Sequence, residues 1–207
     1  LKSLGYEPGS KIGIVSKNCA HFMITEVAIW MAGYTTVALF PTVNGKTTSY
    51  VLDHADVKLM FIGKLDLPDW NNIQTGIPAD MPKIAYAMAP SNDFEKWDDI
   101  MAKTSPIEGN PSRDVDDTAL IIYTSGSTGT PKGAVLTHLG IIDTTSEVAG
   151  FRPGPDDVIL QASNLAFDGA TFEIWGSLLH GGCLLCADVE QLVDTDYLGD
   201  IIRSEGV

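Results

Sequence analysis

Apolar positions along the chain fall into short runs rich in β-branched residues, separated by longer mixed segments. Lys11 to Ser16 carries Ile12, Ile14 and Val15 and predicts a short buried strand. Ala20 to Ala32 predicts a helix that is apolar nearly all round, so a buried one, with Asn18 as cap and Gly33 as stop. Thr35 to Phe40 is the next strand, closed by Pro41. Thr47 to His54 is a short helix and Val57 to Ile62 a third strand. Leu65 to Met81, rich in Pro, Asp and Asn, reads as an irregular connection. Lys83 to Met88 predicts a further strand. Ser91 to Lys103 predicts a helix capped by Ser91 or Asn92, and Thr104 to Asp117 a polar loop.

The same alternation resumes after residue 117. Thr118 to Tyr123 is a short apolar strand that runs straight into a glycine-rich segment. Ala134-Val135-Leu136 then lead to Thr137, which suits a helix cap. Asp157 to Gln161 predicts a strand, Asp168 to Leu179 an amphipathic helix, Gly182 to Ala187 a strand and Thr195 to Ser204 a helix. Strands alternating with helices predict an α/β fold of layered, mostly parallel sheets with helices on both faces. The expected organisation is a first βαβ unit over 1–117, then over 118–207 the strand of the glycine-rich loop and the start of a second unit. The chain opens without Met and stops after a helix where another strand is due, so the pattern predicts truncation at both ends.

Charge narrows the function classes. Thirteen Lys and Arg stand against 27 Asp and Glu, a net charge of −14, which repels phosphate backbones and disfavours nucleic acid as a partner. No apolar run reaches the roughly 18 residues that a membrane span needs. Three cysteines are an odd number, which argues against a disulfide framework and for a reduced, cytoplasmic protein. Cys183 and Cys186 flank two leucines in a predicted strand, and Cys19 sits in an apolar segment; core packing is expected for all three. His21, His54 and His180 fit no catalytic or metal-ligand spacing, whereas His138 follows the loop at a helix start, where it either helps place phosphates or packs.

The chemistry concentrates in Tyr123 to Gly133. A Gly-, Ser- and Thr-rich loop after a strand offers backbone amides and hydroxyls to phosphate oxygens, and Lys132 adds a mobile positive charge. The string is not a Walker loop, because Lys132 lies between Pro131 and Gly133, and it contains no G-x-G-x-x-G. Seven strict positions at roughly 6% each give a chance match on the order of 10⁻⁹ per start site, so a generic surface loop is a poor account of it.

Tyr123 to His138, YTSGSTGTPKGAVLTH, resembles the signature loop of the adenylate-forming superfamily, which includes acyl-CoA synthetases, luciferases and the adenylation domains of non-ribosomal peptide synthetases. The resemblance implies that a carboxylate is joined to the α-phosphate of ATP, with release of pyrophosphate, and that the acyl group then passes to a thiol. It implies that Thr124, Ser125, Gly126, Ser127, Thr128, Gly129 and Gly133 wrap the ATP phosphates. Lys132 and Thr128 are the groups expected to act on them, and Thr128 is also the expected contact of Mg²⁺. The implied thiol acceptor is coenzyme A or the phosphopantetheinyl arm of a carrier protein.

A second stretch, NLAFDGATFEIW from Asn164 to Trp175, is similar to the FD segment of amino-acid-activating adenylation domains. That similarity implies that Asp168 pairs with a substrate ammonium and that Phe167, Gly169 and Phe172 line the acid pocket, with Trp175 left in the core. Asp168 also stands where a helix cap belongs. Residues 11–63 look instead like bacterial acyl-CoA synthetases, so the chain combines features of two branches, as a natural intermediate or a chimera would. The superfamily's later motifs and its C-terminal lid domain, with a catalytic lysine, would lie beyond Val207, and the isolated chain is expected to be inactive. An amino or aryl acid is the favoured substrate. A fatty acyl-CoA ligase is the alternative, a non-catalytic ATP-binding module an alternative of another class, and a bare interaction fragment a third.

Overall fold

A computed structural model describes residues 1–124, 130–146, 150–187 and 191–207. Its first half runs β1 (Lys11–Val15), α1 (Ala20–Met31), β2 (Thr35–Leu39), α2 (Gly45–His54), β3 (Val57–Ile62), α3 (Leu67–Ile73), β4 (Lys83–Ala85), β5 (Glu95–Lys96) and α4 (Trp97–Lys103). The second half runs β6 (Thr118–Thr124), β7 (Lys132–Thr137), α5 (His138–Ser146), β8 (Val158–Gln161), α6 (Asp168–Leu178), β9 (Cys183–Cys186) and α7 (Thr195–Glu205). Among the described residues, seven strands form one sheet in the order β5-β4-β3-β1-β2-β6-β7, and β8 and β9 form a second. Every pairing is parallel except that of β6 with β7. The sheet changes after Thr137, since β6 and β7 complete the first one.

Alternation along the central strands places one side-chain set on each face. Ile12, Ile14, Leu59, Phe61, Leu120 and Ile122 pack with Phe22, Met23 and Ile29 of α1. Val15, Val37, Met60, Ile62 and Ile121 pack on the other face with Val51 and Leu52 of α2 and with Trp70 and Ile73 of α3. Ile12, Ile14, Val37, Met60 and Ile62 are fully buried. Each such side chain contributes about 1.5–3 kcal/mol relative to an exposed one. This is the two-faced covering that a parallel sheet requires.

The structure corrects several expectations. Helix α1 is not buried all round: Ile24 is 50% exposed, while Glu26 is buried on the core face. Asn18 is not its cap; Cys19 holds that position without a capping bond from its side chain, and the Asn18 amide reaches across the chain instead. Gly33 does end the helix, at φ +93°, a conformation that costs glycine little. Residues 65–81 contain α3, where Pro68 stands in the first turn and Trp70 and Ile73 turn inward, so two apolar anchors outweigh a loop-like composition. The helix expected from Ser91 begins only at Trp97, because Glu95–Lys96 pair with β4 and the Asn92 side chain accepts from Phe94 N–H to form a turn. Residues 132–137 form β7, and Thr137 then caps α5 through Gly140 N–H, 3.0 Å. Cys183 and Cys186 are exposed rather than core residues, because β9 has only β8 beside it among the described residues; Cys19 is buried as expected, and all three thiols are free.

Candidate active site

Parallel strands share a carboxyl edge, and ligands of open α/β sheets gather outside it. Here that edge is formed by Ser16–Asn18 after β1, Phe40 after β2 and Thr124 at the end of β6. Since Ala38 pairs with Ile122, Phe40 and Thr124 leave the edge side by side.

The glycine-rich segment starts at Thr124, and the chain re-enters the sheet at Lys132 as β7, so its two ends are paired as the strands of a hairpin. Thr124 is opposite Lys132 and Tyr123 opposite Gly133. Thr124, Lys132 and Gly133 are exposed, and Lys132 has no ion-pair partner among the described residues. Ser125, Gly126, Ser127, Thr128 and Gly129 lie outside the described residues. A side chain at Gly133 would come within 3.2 Å of both the Tyr123 ring and Ile121, which explains glycine at the hairpin mouth. The Tyr123 ring is held from the far side, with its hydroxyl 2.7 Å from His54 Nδ1 and the His54 ring stacked on Tyr50. Burial pushes the Tyr123 phenol upward, so it stays neutral.

The second cluster approaches the same edge from α6. Phe167 precedes the helix, is 51% exposed, and has its ring centroid 6.4 Å from that of Phe40. Asp168 is the first helical residue rather than the cap, a place that Phe167 holds; Asp168 is exposed, and its Oδ1 accepts from Gly169 N–H at 2.8 Å. Gly169 faces Ser163, whose Oγ would lie 2.9 Å from a Cβ placed there. Phe172 is half-buried, with its ring 6.4 Å from Phe151. Trp175 is in the core against Trp30, 4.6 Å between centroids. One sheet edge thus presents an exposed ammonium group on a hairpin, suited to a polyanion, and an exposed carboxylate among aromatic rings, suited to a cation.

Sequence reasoning gave no role to Glu173. Its carboxylate accepts from Ala162 N–H (3.1 Å), Ser163 N–H (2.9 Å) and Ser163 Oγ–H (2.7 Å). Asn18 Nδ2 donates to the Ser163 carbonyl at 3.0 Å, and Gln161 Nε2 donates to the same oxygen. The signal available in the sequence was one carboxylate set among Phe172, Ile174 and Trp175 on the core side of a helix. His138 packs edge-on against Trp30, 5.1 Å between centroids, and burial together with nearby Arg113 lowers its pKa. It stands next to Arg113 and Asp117, near the amino edge where β6 begins.

A cavity of about 630 Å³ opens at that amino edge, lined by Lys11, Gly33, Thr35, Arg113, Thr118 and Val135, on the side away from the hairpin mouth. No group of three or more His, Cys, Asp or Glu converges as a metal cage among the described residues. No helix among them is long and apolar enough to cross a membrane.

Bacitracin synthase 1 of Bacillus licheniformis is 46% identical over 208 residues, covering 100% of this chain and 4% of that protein. Curated relatives more broadly are matched over 2% to 5% of their length. The apo structure of Mycobacterium smegmatis MbtA superposes with a TM-score of 0.80 at 18% identity, covering 99% of this chain and 38% of that one. An AMPPNP-bound form of the nonribosomal peptide synthetase FmoA3 gives 0.78 at 22%, covering 100% and 20%. The sequence profile of the AMP-binding enzymes matches residues 1–207, the whole chain, and the chain therefore belongs to the AMP-binding enzyme family.

Proposed function

We propose that the protein to which this chain belongs activates a carboxylic acid as its acyl-adenylate, with an amino or aryl acid as substrate. What carries the reading is the shared edge: the Thr124–Lys132 hairpin mouth and the Phe167–Asp168 helix start both flank Phe40 at the carboxyl ends of neighbouring strands. The match to bacitracin synthase 1 over the whole chain supports it, as does the AMPPNP-bound structural neighbour.

In the proposed reaction a carboxylate oxygen attacks the α-phosphorus, the bond to the bridging oxygen breaks, and pyrophosphate leaves with its electron pair. Charge grows on the phosphate oxygens, so the protein's work is positioning and charge stabilisation. Thr124 to Gly129 and Gly133 wrap the β- and γ-phosphates, with Lys132 at the pyrophosphate end and Thr128 acting with it on the phosphates and as the contact of Mg²⁺. Asp168 takes the substrate ammonium, which would be costly to bury unpaired, and Phe167, Gly169 and Phe172 line the acid. Mg²⁺ bound to the phosphates would neutralise part of their charge. The described residues do not converge as a cage for it. A thiol of coenzyme A or of a carrier protein then displaces AMP to give a thioester. The division into a first unit over 1–117 and a second over 118–207, and a cytoplasmic setting, complete the proposal.

Acid-dependent ATP–pyrophosphate exchange by the intact protein is the test. Lys132→Ala lowers exchange about 10²–10³-fold, the usual loss of one charge-stabilising donor. Full exchange in a Lys132→Ala, Thr128→Ala double variant refutes the reading, and exchange supported by fatty acids alone moves the substrate to that class.

A further inference from the structure

We infer that Glu173 is a positioning residue for the acid: it fixes the start of α6, with Asp168 and Phe172, against the carboxyl edge of the first sheet. The inference rests on the proposed adenylation, because it assigns a role within that site. Helix α6 begins with Phe167 in the cap position and no side-chain cap bond, and the Gly169 N–H to Asp168 Oδ1 bond at its start stays within the helix, tying it to no neighbouring segment. The anchorage comes instead from five to six residues further along the helix. The Glu173 carboxylate gathers two backbone N–H groups and one hydroxyl from Ala162 and Ser163, where the chain leaves β8. Bonds to a carboxylate are the stronger kind, and these three, with Gln161 Nε2 as a fourth and longer donor at 3.4 Å, set both the distance and the rotation of the helix relative to that turn.

Ser163 is the shared member. Its N–H and hydroxyl point to α6, and its carbonyl accepts from Asn18, which follows β1. A continuous polar path therefore runs from the central strand of the first sheet through the exit of β8 to the helix bearing Asp168. Gly169 lies close against Ser163, so a shift of this turn displaces the residue next to Asp168. The nucleotide hairpin stands apart from the path, because β6 and β7 hold it by their own pairing. Loosening Glu173 should weaken acid recognition while leaving ATP recognition in place.

The test measures pyrophosphate exchange by the intact protein with acid and ATP varied separately. Glu173→Gln, which keeps the shape but turns one acceptor into a donor facing N–H groups, raises the KM for the acid about tenfold or more and the KM for ATP less than about twofold. Asn18→Ala shifts the acid KM in the same direction by about threefold. A fall in kcat or active fraction with both KM values unchanged overturns the inference and leaves Glu173 a merely structural residue. Should Glu173→Gln fail to fold, Ser163→Ala removes a single donor and raises the acid KM by about threefold. Amide hydrogen exchange gives a readout apart from activity: Ala162 and Ser163 exchange about tenfold faster in Glu173→Gln, and unchanged protection overturns the clamp. Absence of exchange activity in the unaltered protein with every acid tried defeats the adenylation reading, a result distinct from either failure of Glu173.

Discussion

The two sheets hold their shape by different means. In the first, the central strands are enclosed on both faces, and Ile12, Ile14, Val37, Met60 and Ile62 are fully buried. In the second, Val158, Ile159 and Leu160 of β8 are only half-buried, and β9 leaves Cys183 and Cys186 exposed. The first sheet is kept rigid by close packing. The second has little apolar burial to set its register, and directional bonds from Glu173 and Asn18 fix the turn beside it. A buried scaffold next to a lightly packed unit with polar ties is the division that the proposed reaction would use, one part to hold a nucleotide and the other to fit an acid.

The largest effect that would sharpen this contrast lies under α1. Burial raises the Glu26 carboxyl from its ordinary 4.5 to about 8. Between those values the unfolded chain releases the proton while the folded chain keeps it, so stability falls as pH rises from about 4.5 to 8 and then levels off. At roughly 1.4 kcal/mol per pH unit the full span is about 5 kcal/mol. Glu26→Gln should flatten this slope and unfold at higher urea than the unaltered chain at pH 8.5; an unchanged pH profile would show that the carboxyl is not held in the dry core. Next in size, Ile14→Ala should cost about 2–5 kcal/mol, as a fully enclosed site that cannot collapse. Ile159→Ala, in the half-buried β8, should cost about 1 kcal/mol. Equal losses at these two positions, measured by chemical denaturation, would erase the distinction between the sheets. The smallest effect is chemical: Cys183 and Cys186 should alkylate in the native state, Cys186 more slowly because burial raises its thiol pKa, and Cys19 only on unfolding. Rapid native labelling of Cys19 would contradict its burial.

What the sequence made legible follows the same division. The runs of β1, β2 and β3 are apolar and β-branched because both faces are covered, and their predicted limits fall within a residue of those observed. The glycine-rich string and the Phe167–Asp168 pair were visible because their chemistry is local. β7 was missed because Ala134-Val135-Leu136 reads equally well as an approach to a helix, and only its pairing with β6 makes it a strand. α3 was missed because proline and asparagine suggested a loop, whereas burial of Trp70 and Ile73 decides the matter. The Asn18–Ser163–Glu173 path joins residues up to 145 positions apart in sequence, and no local pattern can announce such a contact.

The narrow approach of Gly133 to Tyr123 has a consequence for how signature motifs are interpreted. Tyr123 cannot easily yield to a larger residue there, because its hydroxyl is tethered to His54 and its ring abuts the neighbouring strand. Within one short motif, then, at least one letter answers to an aromatic wall behind it. Exchanging such loops between proteins without their tyrosine and histidine backing would transplant the spelling and lose the wall it packs against.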